Sequence, residues 1–127
     1  MNDVVVVDTS VFIEYLRGNS DDALAVLTLN NQVLLSPIVK LELLTGIKKG
    51  QLRVIERLCA AVHTIEAFPT PAEVEKLLKK ARGSGLFGGI PDLLIIADAI
   101  RYQAPLFTYD QKMKKLAQKL GSKIVKL

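Results

Sequence analysis

Cysteine and histidine each occur once in these 127 residues, and Asp and Glu are missing altogether from the lysine-rich stretch Lys112–Leu127. A lone Cys59 excludes an intramolecular disulfide and cannot build a thiolate zinc cluster. Such sparing cysteine use fits a reducing cytosol. No apolar run approaches the ~18–20 residues that a membrane-spanning helix needs. The opening Met1-Asn2-Asp3 carries no basic residue, so the run Val4–Val7 is not read as a secretory signal. Repeats, low-complexity tracts and linkers are also lacking. The expectation is a cytoplasmic protein with one domain over residues 1–127, and 50% hydrophobic content is enough to give that domain a core.

What is present begins with charge. The formal net charge is +4, and six lysines stand between Lys112 and Leu127. A second basic group, Lys48, Lys49, Arg53 and Arg57, is opposed by Glu56 alone. Cations grouped in this way favour a polyanion such as RNA or DNA, although a solvated helix face also accounts for either group.

Short β-rich runs alternate with helical ones. Val4–Asp8 is a β-branched run of the kind buried on both faces of a sheet. Thr9 or Ser10 then caps a helix ending near Gly18, and Ser20-Asp21-Asp22 opens another through Leu29. Val33–Ser36 is a second strand, followed by a helix from Pro37 and Ile38 to Ile47 and another over 51–62. His63–Ala67 is a third strand, and His63 itself reads as structural or simply exposed. Thr70-Pro71-Ala72-Glu73 is a capping signal that starts a helix to about Arg82. Gly83–Gly89, with four glycines in seven residues, is a loop. Pro91–Gln103 is a helix, Leu106–Tyr109 a strand, Gln111–Leu120 a helix and Lys123–Leu127 a last strand. This alternation predicts a three-layer α/β/α sandwich with a parallel sheet of four to five strands.

In such sheets ligands bind beyond the carboxyl ends of the strands. Asp8 and Asp110 stand where the first and fourth strands end. Glu42 lies on the helix after the second strand, where Leu41 and Leu44 are expected to mark the buried stripe. Asp92 follows Pro91 in the first turn of a strongly apolar helix. Each has an ordinary alternative: Asp8 and Asp110 as helix caps, Glu42 as a solvent-facing acid, Asp92 as a partner of the helix dipole. Asp98, on another face of the helix that carries Asp92, is sufficiently explained by an ion pair with Arg101 three residues on. Cys59, on an apolar helix, belongs to the core.

Four acids at one sheet edge repel. Two carboxylates ~5 Å apart at an effective dielectric of 20 oppose each other by about 3 kcal/mol. A divalent cation relieves the conflict, and an all-oxygen donor set suits Mg²⁺ or Mn²⁺ rather than zinc. Such an ion activates water and stabilises the leaving oxygen of a phosphodiester. Basic residues at the rim would hold the flanking phosphates. An Asp-x-Asp phosphatase is disfavoured because Ser10 occupies its second acidic place, and a phosphoacceptor receiver because the third strand runs into Glu66-Ala67-Phe68.

Four segments in register resemble the PIN domain, and within it the toxin half of VapBC-type toxin–antitoxin pairs. They are Val5–Ile13, Ser36–Ile47, Ile90–Ala99 and Leu106–Asp110, and the resemblance spans essentially the whole chain. It implies an α/β/α fold, Mg²⁺- or Mn²⁺-dependent endoribonuclease activity and a growth-restraining toxin. By motif position Asp8, Glu42, Asp92 and Asp110 match the family's acidic quartet. Asp8 and Asp92 would hold metal most directly, Asp110 would assist, and Glu42 would act through water. Thr9, Ser10 and Thr108 fall at small hydroxylated positions and would steady the acids. The resemblance further implies a homodimer and a small antitoxin partner. The competing reading is an RNA-binding or protein adaptor on the same fold with little turnover.

Overall fold

The structure, a computed structural model, describes residues 3–19, 22–46, 48 and 50–126. The elements run β1 (Val5–Val7), α1 (Thr9–Leu16), α2 (Ala23–Leu29), β2 (Val33–Leu35), α3 (Pro37–Thr45), α4 (Leu52–Ala60), β3 (His63–Thr64), α5 (Pro71–Ala81), α6 (Ile90–Arg101), β4 (Leu106–Phe107) and α7 (Gln111–Lys119). The four strands form one parallel sheet in the order β3-β2-β1-β4. Val6 pairs with Leu34 on one side and with Leu106 on the other, so β1 is central. All three residues of β1 and of β2 are buried. Consecutive strand residues point to opposite faces, so both faces of the sheet are covered by helices. The fold is α/β, as the alternating pattern predicts.

The core gathers around these strands. Phe12 of α1, Val39 and Leu43 of α3, Leu93, Ile95 and Ile96 of α6, and Leu116 of α7 are all buried with them. Cys59 belongs to the same cluster, and burial pushes its thiol pKa up while Lys40 opposes the shift. It is a core residue. Among the described residues no helix is long and apolar enough to cross a membrane.

Several expectations need correction. The third strand stops at Thr64: Ile65 still donates to the Leu35 carbonyl at 2.8 Å, but Glu66, Ala67 and Phe68 are exposed. The fifth strand is reduced to one bridge, Leu106 with Ile124, because Leu106 alone exchanges bonds with Lys123 and Val125. Val39 and Leu43 form the buried stripe of α3, while Leu41 is 48% exposed. The proposed opening of α2 lies partly outside the described residues, at Ser20 and Asp21, and Asp22 makes no side-chain cap there. Ile47, the expected end of α3, also lies outside them, and the helix closes at Gly46. At α5 the expected capping box is present, with Thr70 and Glu73 each bonding the other's backbone.

Candidate active site

β1 delivers Asp8 to the carboxyl edge of the sheet, where it is buried at 7% exposure. Asp8 occupies the N-cap position of α1, yet its side chain caps nothing. Its Oδ2 instead accepts from Ser10 Oγ at 2.8 Å and from Thr108 Oγ1 at 2.7 Å. The two hydroxyls lie 3.2 Å apart. Each also accepts a backbone N–H from the end of β4: Tyr109 N–H donates to Ser10 Oγ, and Asp110 N–H to Thr108 Oγ1, both at 3.1 Å. A buried carboxylate needs such partners, and here they come from the first turn of α1 and from the end of β4. Oδ1 of Asp8 stays outside this network.

Glu42 projects from the second turn of α3 and takes a hydrogen bond from Thr9 Oγ1 at 2.7 Å. Thr9 and Ser10, neighbours at the start of α1, thus hold two different acids. Asp110 serves as a real cap: its Oδ1 accepts from the N–H groups of Lys112 at 2.9 Å and Met113 at 3.2 Å.

Asp92, half-buried in the first turn of α6, joins the group electrostatically. Its pKa is pushed up from 3.8 to about 6, by burial first and then by Asp8, Asp110 and Glu42, with Lys112 opposing. All three remaining acids thus act on one carboxyl group from three separate elements. The approach to Asp92 is close on its loop side too. A Cβ added at Gly88 would stand 2.7 Å from Asp92 Oδ2, so a side chain there would have to displace the carboxylate or the loop.

The donor chemistry suits a hard cation: carboxylates alone, with hydroxyls behind them. Their mutual repulsion, read at Asp92, is what a divalent ion would cancel. Among the described residues no three acidic, histidine or cysteine side chains converge into a ready-made metal cage.

Sequence reasoning explained Asp98 by its ion pair with Arg101, and that pair exists at 2.9 Å. It missed that Asp98 is fully buried and also hydrogen-bonded by the buried Ser36. Burial raises the Asp98 pKa, while Ser36 and Arg101 lower it. His63 is exposed at the start of β3, away from the acids.

Residues 5–119 match the PIN domain. The chain belongs to the PIN domain family. No curated protein matches it. Among solved structures this PIN domain is similar to VapBC2 from Rickettsia felis bound to a DNA fragment from their promoter. That likeness has a TM-score of 0.72 and 21% identity over 97% of both chains. VapBC-1 from nontypeable Haemophilus influenzae gives a TM-score of 0.72 and 22% identity, over 95% of this chain and 97% of that one. FitAcB from Neisseria gonorrhoeae gives 0.69 and 21%, over 97% of both. At such identities the likeness establishes the fold.

Proposed function

We propose that this PIN domain is a divalent-metal-dependent endoribonuclease that acts as the toxin of a type II toxin–antitoxin pair. One observation carries the reading: Asp8, Asp110 and Glu42, from different elements, all act on Asp92, whose pKa is pushed up by burial first and then by these three acids. An enzyme tolerates such mutual repulsion where a cation is to be bound. Asp8, Asp92 and Asp110 would hold Mg²⁺ or Mn²⁺, and Glu42 would act through water as ligand or base. The ion would activate water, orient the phosphodiester and stabilise its leaving oxygen. Lys112, within the field of the acids, and the exposed Lys115 and Lys119 beyond it would hold flanking phosphates. The similar folds in VapBC and FitAcB structures support a small antitoxin partner, and we extend the reading to a homodimer working in the cytoplasm.

The adaptor reading draws on the lack of a ready metal cage among the described residues. Purified protein tested on RNA with Mg²⁺ or Mn²⁺ separates the two. Cleavage that disappears with EDTA and in Asp8→Asn supports the nuclease. RNA binding without cleavage under any divalent ion supports the adaptor. The antitoxin is sought by co-purification with the product of any small open reading frame beside the gene.

A further inference from the structure

A cleft of about 620 Å³ opens beside the acids and shares Ser10 and Asp110 with them. Whatever occupies it therefore lies next to the acids. Its walls differ from those of a simple phosphate groove. Ile13 contributes an exposed apolar surface, and Tyr109 lines the cleft as a fixed wall, its ring set edge-on to Phe107 at 5.3 Å and 84°. At the far end stand Glu14, Arg17 and Asn19. Ser10, Ile13, Glu14 and Arg17 fall at positions i, i+3, i+4 and i+7 along α1 and its C-cap, so one helix stripe runs from the acids to this end. Glu14 and Arg17 pair at 3.3 Å, and the Asn19 N–H donates to the Glu14 carbonyl, which holds the segment after α1 against the helix.

We propose that this cleft seats a nucleobase of the substrate strand next to the scissile phosphate, and that Glu14 and Arg17 select guanine. The proposal rests on the RNA-nuclease reading for its substrate. Apolar and aromatic walls suit the faces of a base rather than a second phosphate. A carboxylate repels phosphate and accepts hydrogen bonds only. Guanine alone presents two adjacent N–H donors beside a carbonyl acceptor on its Watson–Crick edge. Glu14 complements the donors, and the guanidinium next to it complements the carbonyl oxygen. Adenine and cytosine offer one amino group flanked by an acceptor, and uracil a single N–H. The Asn19 amide can both donate and accept, so it adds contact without choosing the base.

The test measures binding, with Asp92→Asn protein in Mg²⁺ so that cleavage does not intervene. Short oligouridylates carrying one adenosine, cytidine or guanosine are compared with the all-uridine parent by fluorescence anisotropy. The guanosine oligomer is expected to bind about tenfold tighter than the parent, as one good bidentate contact provides. Adding Glu14→Gln, or in a separate protein Arg17→Ala, should abolish the difference while leaving the parent's affinity within about threefold. Equal binding of all four oligomers, preference for another base, or a guanosine preference that survives both substitutions overturns the proposal. Wild-type cleavage of RNA without base preference would sink it while the nuclease reading stands. No cleavage, with guanosine binding intact, would sink the nuclease reading alone.

Discussion

Thr108 donates a hydrogen bond at 2.7 Å to Oδ2 of Asp8, a residue 100 positions away in the sequence. The bond crosses between β4 and β1, and the same hydroxyl receives the Asp110 N–H. One threonine thus fixes the rotamer of one acid and the backbone leading to another. In Thr108→Val the buried carboxylate loses one of its two hydroxyl partners and keeps the other, Ser10. The expected cost is about 1–3 kcal/mol in urea denaturation, with cleavage slowed roughly 10- to 100-fold. Thr108→Ser should restore most of both. Unchanged cleavage in the valine protein would show that Asp8 needs no such support.

Asp92 makes stability depend on pH in a direction opposite to the usual ion-paired aspartate. Its folded pKa of about 6 lies above the ordinary 3.8. The contribution it makes to stability is therefore fully present below about pH 4 and is lost as pH rises through 6. In chelator, Asp92→Asn should be more stable than wild type at pH 7.5, and the gap should close towards pH 4. Melting temperatures across that range give the answer; a gap that widens on acidification contradicts it.

Divalent metal should reverse that penalty. Mn²⁺ at about a hundred times its dissociation constant is expected to stabilise the wild-type protein by about 2.7 kcal/mol. Asp8→Asn and Asp92→Asn should lose most of this gain. Thermal melts with and without EDTA read it directly, and equal shifts in all three proteins would place the ion elsewhere.

The close approach of Gly88 to Asp92 invites a local change. A Cβ there would come within 2.7 Å of Oδ2, so Gly88→Ala must displace the carboxylate or the loop. We expect a drop of tenfold or more in cleavage with a stability change under about 1 kcal/mol, since the loop side is exposed. A fully active alanine variant would mean that the loop yields instead.

Asp98 provides the contrast. It is fully buried, but its partners are Ser36 and Arg101, and the acids around Asp92 are not among the groups acting on it. Asp98→Asn should cost about 1–3 kcal/mol while the Mn²⁺ response stays intact. Loss of the metal response in this variant would draw Asp98 into the site.

Much of this was legible in the residues because local signals agreed. The β-branched run at Val5–Val7 and the box at Thr70 and Glu73 carry their own structure, whatever packs on them. The short third strand was less legible: Ile65, Glu66 and Ala67 look strand-like, yet pairing needs a neighbour, and Leu35 is the last residue of β2 to offer one. The stripe on α3 was misread because Leu41 and Val39 are equally apolar, and only the position of the sheet decides which is covered. The acids at the strand ends followed from topology. The buried partnership of Ser36 with Asp98 did not, since nothing local marks a serine 62 residues away as a partner.

The sheet order has a consequence for charge. Because β1, β2 and β4 are parallel, the helices that follow them, α1, α3 and α7, all begin at the same edge. Each brings roughly half a positive charge of backbone dipole to the place where the acids gather. Part of the counter-charge thus resides in peptide groups, so exchanging surface lysines alters how firmly the edge grips a polyanion but leaves this built-in positive field in place.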